Sequence, residues 1–338
     1  MVSAPLAVTM GEPAGIGGEI ALSAWRLRRS NDVPQFFIID DPERLARLAR
    51  HMGADYAVEA ISRPEETARV FDFALPVLPI SVPGGVCPGR PDSRHAAAVI
   101  ESIDRAVALT QQKRAAAVVT NPIQKSALYH AGFRYPGHTE YLAALAGVEV
   151  GRPVMMLVGG DLRVIPVTIH IPLAKVIDTL CSSMIVHCGR VAARALREDF
   201  GLDCPRLVVS GLNPHAGEEG EIGREEIDVI LPAIQTLREE GVHVEGPLSA
   251  DTLFHALART RYDVALCMYH DQALIPVKTL DFESGVNVTL GLPFIRTSPD
   301  HGTALAIAGT GQASPKSLIS ALKMAFVMSL RRNTLRII

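Results

Sequence analysis

Arg206-Leu207-Val208-Val209-Ser210-Gly211-Leu212-Asn213-Pro214-His215 is the stretch on which the reading of the fold turns. A short run of branched apolar residues stops at Ser-Gly, and polar side chains crowd the positions just beyond it. The amphipathic segment Arg224–Glu240 follows. A run that is apolar at odd and even positions alike reads as a strand buried on both faces, and the helix after it as its cover. The pattern recurs along the chain. Strand candidates are Leu6–Met10, Gln35–Ile39, Ala115–Thr120, Val154–Leu157, Arg163–Thr168, Arg206–Ser210 and Val264–Met268. Helix candidates are Pro42–Met52, His95–Thr110, Leu173–Phe200, Arg224–Glu240, Asp251–Thr260 and Pro315–Met328. Alternation of this kind predicts an α/β fold with mostly parallel sheets covered by helices on both faces.

In such sheets ligands sit beyond the carboxyl ends of the strands. The unusual polar residues fall there: Thr120-Asn121-Pro122, His170, Ser210 to His215, and Tyr269-His270-Asp271. Composition narrows the ligand. The formal charge is -3, from 33 basic and 36 acidic residues, which gives no field for nucleic acid or an anionic membrane. An anionic small molecule therefore needs a local cationic pocket. Cys87, Cys181, Cys188, Cys204 and Cys267 are odd in number and lack a CxxC pair, so reduced thiols are expected rather than a disulfide framework or a cysteine zinc site. No leader-like segment precedes Leu6–Met10, and no run of about 18 apolar residues occurs, so a cytoplasmic protein is expected.

Three constellations suggest chemistry. His170, His215 and His270 each follow a separate strand, and three neutral imidazoles can hold a divalent cation with a position open to substrate. Asp251 and Asp271 could orient those imidazoles, although Ser249-Ala250-Asp251 also reads as a helix cap. His138, Thr139, Lys278, Asn287 and Arg296 form a cationic, amide-bearing set suited to a phosphate or carboxylate. In the third, His301-Gly302-Thr303-Ala304 with Gly309 and Gly311, small residues let the backbone approach a ligand. The loop from Met10 to Glu19 fits neither GxGxxG nor GK[ST], and reads better as a tight strand-to-helix turn than as a phosphate cradle.

The segments MGEPAGIGGEI, VVTNPIQKSAL, GHTEYLA, VTIHIPL, SGLNPHAGEEGEIGREEID, GPLSADTLF, MYHDQALIPVK and GVNVTLGLPFIRTSPDHGTALAIAG run nearly end to end. Together they resemble the 4-hydroxythreonine-4-phosphate dehydrogenase (PdxA) family of vitamin B6 biosynthesis. The resemblance implies two α/β/α domains similar to isocitrate and isopropylmalate dehydrogenases, with the active site in the interdomain cleft at a dimer interface. It implies a nucleotide-binding domain over residues 1–140 and 290–338, and a metal, substrate and dimerisation domain over 141–289. It makes His170, His215 and His270 ligands of one divalent ion (zinc, magnesium, cobalt or manganese), with His270 facing the other two across a homodimer boundary. His138, Thr139, Lys278, Asn287 and Arg296 become substrate residues. His301, Gly302, Thr303, Ala304, Gly309 and Gly311 become the loop that binds NAD or NADP. Gly17-Gly18 departs from the family's usual Gly-Pro.

The implied reaction is NAD(P)-dependent oxidation of 4-phosphooxy-L-threonine at C3, followed by loss of CO₂. Lys278, Asp271 and a metal-bound water are the candidate proton acceptors, and Asp251 is a further candidate catalytic residue. Oxidation of 4-phosphorylated threonate or erythronate is the alternative within the family. A metal-dependent hydrolase or aldolase on the same histidines is the alternative outside it.

Overall fold

A computed structural model describes residues 4–53, 56–149 and 152–335. The chain divides into two compact units, Met1–Pro153 with Leu292–Leu330, and Val154–Gly291 with Arg331–Ile338.

The strands of the first unit are β1 (Leu6–Thr9), β2 (Phe36–Asp40), β3 (Val58–Ala60), β4 (Leu75–Pro79), β5 (Val118–Val119) and β12 (Arg296–Pro299). They lie in the order β3-β4-β2-β1-β5-β12 and every pair is parallel. All four residues of β1 and all five of β2 are buried, as a central parallel strand requires. Its helices are α1 (Gly17–Arg26), α2 (Pro42–His51), α3 (Thr67–Val70), α4 (Ala96–Gln111), α5 (Lys125–His130), α6 (His138–Leu145) and most of α12 (Lys316–Leu335). The core joins Phe37 and Ile39 to Val99, Ile103 and Val107 of α4 and to Leu142 of α6.

The second unit holds β6 (Val154–Gly159), β7 (Leu162–Pro166), β8 (Arg206–Ser210), β9 (His243–Leu248), β10 (Val264–Cys267) and β11 (Val286–Leu290), in the order β11-β6-β7-β10-β8-β9. Only β6 runs against its neighbours; β7, β10, β8 and β9 are mutually parallel. Helices α7 (Leu173–Thr179), α8 (Ser182–Glu198), α9 (Leu231–Glu239), α10 (Ala256–Arg259) and α11 (His270–Leu280) belong here. Val164, Val208, Ala265 and Val277 pack in its core.

Several expectations are corrected. Leu173–Phe200 is two helices meeting at 94°, because Leu180 is extended (ψ 125°) and Cys181 opens a new helix. Arg224–Glu240 starts with a wide turn at Glu226–Ile230 before α9. Asp251–Thr260 is a short turn followed by only four helical residues. The run around Lys278 is helical: α11 contains Pro276, which leaves one helical N–H···O bond unmade, and Lys278 lies in its last turn. All five cysteines are free thiols. Among the described residues no single helix is long and apolar enough to cross a membrane.

Candidate functional site

The residues singled out from the sequence fall in both units. In the second unit β7, β10 and β8 are adjacent and parallel, so the loops carrying His170, His270 and His215 leave neighbouring strand ends. Two side chains stitch those ends together. Thr168 donates its hydroxyl to the Met268 carbonyl at 2.7 Å, joining the end of β7 to that of β10. The Gln272 amide accepts from Met268 N–H at 2.7 Å and donates to the Gly211 carbonyl at 2.8 Å, joining β10 to β8. Both residues are buried, so these bonds are not exchanged for water.

The rings of His170 and His270 lie 5.7 Å apart, centroid to centroid, tilted by 45°. His270 Nδ1 is 2.7 Å from the Asp271 carboxylate, which fixes the ring and turns Nε2 to the other side. A cavity of about 230 Å³ adjoins the pair, lined by Ile169, Ile171, Leu173, Val176 and Tyr269 besides the histidines and Asp271. His215 stands on a loop whose residues His215 to Glu219 all have positive φ, between 44° and 79°. The buried Glu226 clamps that loop, one oxygen accepting from the N–H groups of Leu212 and Asn213, each at 2.7 Å, and the other from the Asn213 amide at 2.9 Å. Gly217 has to be glycine, since a Cβ there would stand 2.6 Å from a Glu226 oxygen at a φ of 79°. Asp251 accepts from the Ser249 hydroxyl at 2.6 Å. That bond, helped by the charge of nearby His215, holds its carboxyl below the usual range.

Two imidazoles bound to one ion at about 2.0–2.1 Å through nitrogen have centroids about 5–6 Å apart, which matches the His170–His270 spacing. The donors are neutral nitrogens, and one is already oriented by a carboxylate. Among the described residues, however, no three His, Cys, Asp or Glu side chains converge as a ready-made ligand group. One chain brings two imidazoles together and leaves His215 beside Asp251. The pairing of His170 with His270 inside one chain was not foreseen, since the resemblance divides them between subunits.

Lys278 Nζ lies 5.4 Å from the centroid of the Phe282 ring, a cation–π contact. On β11, Asn287 keeps a buried Oδ1 with no hydrogen-bond partner.

In the first unit Arg296 opens β12 and is 4 % exposed. Its guanidinium donates to Thr120 Oγ1 from Nε at 3.2 Å and from Nη2 at 2.7 Å. Burial lowers its pKa to about 10, partly offset by the charge of Glu140, so it remains a cation at neutral pH. His138 begins α6, with Thr139 and Glu140 next in its first turn. Burial, then the charges of Arg296 and Lys125, hold the His138 imidazole well below its ordinary pKa and therefore neutral. Its Nε2 is buried and has no partner. A buried cation beside an unpartnered buried ring nitrogen forms a site that an anion would complete.

The 301–313 loop is organised by a residue that sequence reasoning missed. The Glu19 carboxylate, 1 % exposed, accepts from Gly309 N–H at 2.6 Å and from Gly311 N–H at 2.7 Å. Both glycines have positive φ, 81° and 73°. Thr303 is tied at its carbonyl to Ile16 N–H, at 3.1 Å, and at its hydroxyl to the Gln124 carbonyl oxygen, at 3.2 Å. Ala304 is left-handed, φ 44°, and His301 Nδ1 lies 3.0 Å from the Gly302 carbonyl. The Met10–Glu19 loop is a buried tight turn as expected: a Cβ at Gly11 would approach Asn121 to 2.7 Å, and one at Gly17 would approach the Met10 carbonyl equally closely, 2.7 Å. Glu226, Gln272 and Lys125, like Glu19, carried no signal beyond lying inside quoted motifs.

The family profile described as pyridoxal phosphate biosynthetic protein PdxA matches residues 32–325. A 4-hydroxythreonine-4-phosphate dehydrogenase from Methylorubrum populi is 55 % identical over 328 residues, covering 95 % of this chain and 93 % of that one. The crystal structure of such an enzyme from Klebsiella pneumoniae aligns with a TM-score of 0.86 at 39 % identity, over 97 % of this chain and 100 % of that one. A terephthalate 1,2-cis-dihydrodiol dehydrogenase from Burkholderia xenovorans aligns at 0.65 with 27 % identity, over 96 % and 98 %. A β-decarboxylating dehydrogenase from Thermococcus kodakarensis, 14 % identical with a TM-score of 0.50 over 98 % and 85 %, shares the fold alone.

Proposed function

Since the chain belongs to the PdxA family of pyridoxal phosphate biosynthetic proteins, we propose that it is a metal-dependent NAD(P) dehydrogenase of 4-phosphooxy-L-threonine. It oxidises C3 to give 2-amino-3-oxo-4-phosphooxybutanoate, which loses CO₂ to form 3-amino-2-oxopropyl phosphate. The observation that carries this reading is Arg296, a buried cation kept beside the unpartnered Nε2 of His138. Burying a charge is expensive, and a phosphate ester beside Arg296 would offset that cost.

His138, Thr139 and Arg296 bind the phosphate end of the substrate, with Lys278 and Asn287 as its further contacts. His170, His215 and His270 hold the divalent ion, and Asp271 fixes the His270 ring. When bound, the ion supplies Lewis acidity toward the C3 hydroxyl, and the nicotinamide supplies the hydride acceptor. Lys278, Asp271 and Asp251 are the groups able to take the hydroxyl proton. His301 to Ala304, with Gly309 and Gly311, line the nucleotide. The first unit is thus the nucleotide domain and the second the metal and dimerisation domain.

The functional form is a cytoplasmic homodimer. Exposed apolar side chains stand on the helix that follows His170 and on the one that His270 begins: Leu173 at 67 % and Ile177 at 58 % on α7, Ile275 at 64 % on α11 and Phe282 at 77 % just after it. Such a patch is a surface for a second copy, which would complete the ligand set that one chain leaves open. The test is a panel of C4 acids, 4-phosphooxy-threonine, 4-phosphothreonate and 4-phosphoerythronate, with NAD or NADP and a divalent ion. Formation of reduced nicotinamide with the amino acid alone supports the reading; turnover of the threonate or erythronate alone, or of none, refutes it.

A further inference from the structure

Lys125 stands at the start of α5, exposed, six residues after the end of β5. The loop between them holds three other parts of the site. Thr120 receives Arg296, Asn121 donates to the Thr9 carbonyl at 3.0 Å, and Gln124 receives Thr303. Lys125 reaches the N-terminus of α6: its Nζ would be 3.6 Å, and the Glu140 Oε2 3.3 Å, from a Cβ built on Gly137. Gly137 is the N-cap and offers no side chain to the first N–H groups of α6. Among the described residues no carboxylate lies within ion-pair distance of Lys125. The imidazole of His138, whose Nε2 is buried and unpartnered, feels the charges of both Arg296 and Lys125. An uncapped helix start, an unpartnered ring nitrogen and two cations from different elements thus lie near His138, with the Glu140 carboxylate beside Lys125 at the helix start.

We propose that Lys125 is a further substrate-binding residue, whose ammonium joins Arg296 in neutralising the phosphate dianion at the N-terminus of α6. The proposal rests on the reading of a phosphorylated substrate given above. A neutral His138 supplies hydrogen-bonding capacity and no charge, and Glu140 offsets part of Arg296. One guanidinium alone leaves a dianion under-neutralised, and the ammonium makes up the difference.

The experiment titrates inorganic phosphate into the wild-type protein, Lys125→Met and Lys125→Arg by calorimetry, with KM for 4-phosphooxy-threonine and for NAD(P) measured alongside. Loss of one charged contact weakens phosphate binding about 10- to 100-fold in Lys125→Met. KM for the phosphorylated substrate rises by a similar factor, KM for NAD(P) stays within about threefold, and Lys125→Arg largely restores both. Phosphate affinity unchanged in Lys125→Met, no phosphate binding by the wild type, or a rise confined to the NAD(P) KM would overturn the proposal. The titration needs no turnover. If the wild type oxidises no phosphorylated acid while Lys125→Met still loses phosphate, the anion site stands and the proposed reaction falls. Normal turnover that Lys125→Met leaves untouched does the reverse.

Discussion

Glu19→Gln changes one oxygen to an amide and leaves the volume of the side chain almost unchanged. The carboxylate accepts two backbone N–H bonds, at 2.6 and 2.7 Å, and is 1 % exposed, so water cannot replace either. An amide keeps one acceptor and turns an NH₂ toward the other N–H. The loss is one charge-assisted bond plus one unsatisfied buried donor, together about 2–4 kcal/mol. Where that cost appears depends on how the loop opens. If residues 309–311 can detach locally, the loop gives way before the unit unfolds, and the loss is capped at the opening free energy. The predicted signature is faster amide exchange at Gly309 and Gly311, with KM for NAD(P) raised at least about tenfold and KM for the phosphorylated substrate within about twofold. If instead the loop stays docked, the melting midpoint of a unit this size falls by roughly 5–10 °C. Glu19→Ala removes both acceptors and gives a larger effect in the same direction. Unaltered amide exchange, NAD(P) KM and melting midpoint in Glu19→Gln would refute the latch.

Two further outcomes are expected. The folded pKa of His138 is lowered by burial, so between that value and the ordinary value near 6.5 the unfolded chain binds the extra proton. Its contribution to stability is therefore complete above about pH 6.5 and is lost as pH falls below it; thermal melts from pH 7.5 to 5 should show a decline that His138→Gln makes shallower, and parallel declines would be evidence against a buried neutral imidazole. If the second copy supplies the His270 of each site, as the resemblance implies, mixing inactive His170→Ala and His270→Ala homodimers under subunit exchange recovers about a quarter of wild-type activity, because half of the dimers are mixed and each holds one intact site. No recovery despite proven exchange would assign both histidines of a site to one chain, as their adjacency within the chain allows.

The elements legible in the sequence were those whose apolar runs are buried on both faces. β8 was read with its observed bounds, and β1, β2 and β10 to within a residue or so. β4 and β11 also escaped although they are largely buried, their apolar runs being interrupted by Pro76 and Pro79 in one and by Asn287 and Thr289 in the other. The other three that escaped are of two physical kinds. β12, Arg-Thr-Ser-Pro, is buried at all four positions yet carries polar side chains, because it belongs to the site rather than to the apolar core. β3 and β9 lie at the ends of their strand orders and are largely exposed, so they lack the apolar signal. The break at Leu180 has no glycine or proline to announce it. The helix that carries Lys278 was in no candidate element, because Pro276 interrupts its apolar run. In the site, the strand-end histidines and Arg296 stood out because such residue types are rare after apolar runs. The side chains that hold them did not. A lone Glu19, Glu226, Gln272 or Lys125 reads as solvated surface until the fold places a backbone N–H, a carbonyl or a second charge opposite it.

Purified protein, incubated with 4-phosphooxy-L-threonine, NAD or NADP and a divalent ion, tests the central claim most directly when reduced nicotinamide and CO₂ are followed together. The account predicts equal amounts of the two, both abolished by a chelator and restored by added zinc, cobalt, manganese or magnesium, and both lost in His170→Ala. Full turnover in excess chelator with no bound metal, or release of phosphate or cleavage products without nicotinamide reduction, would contradict it.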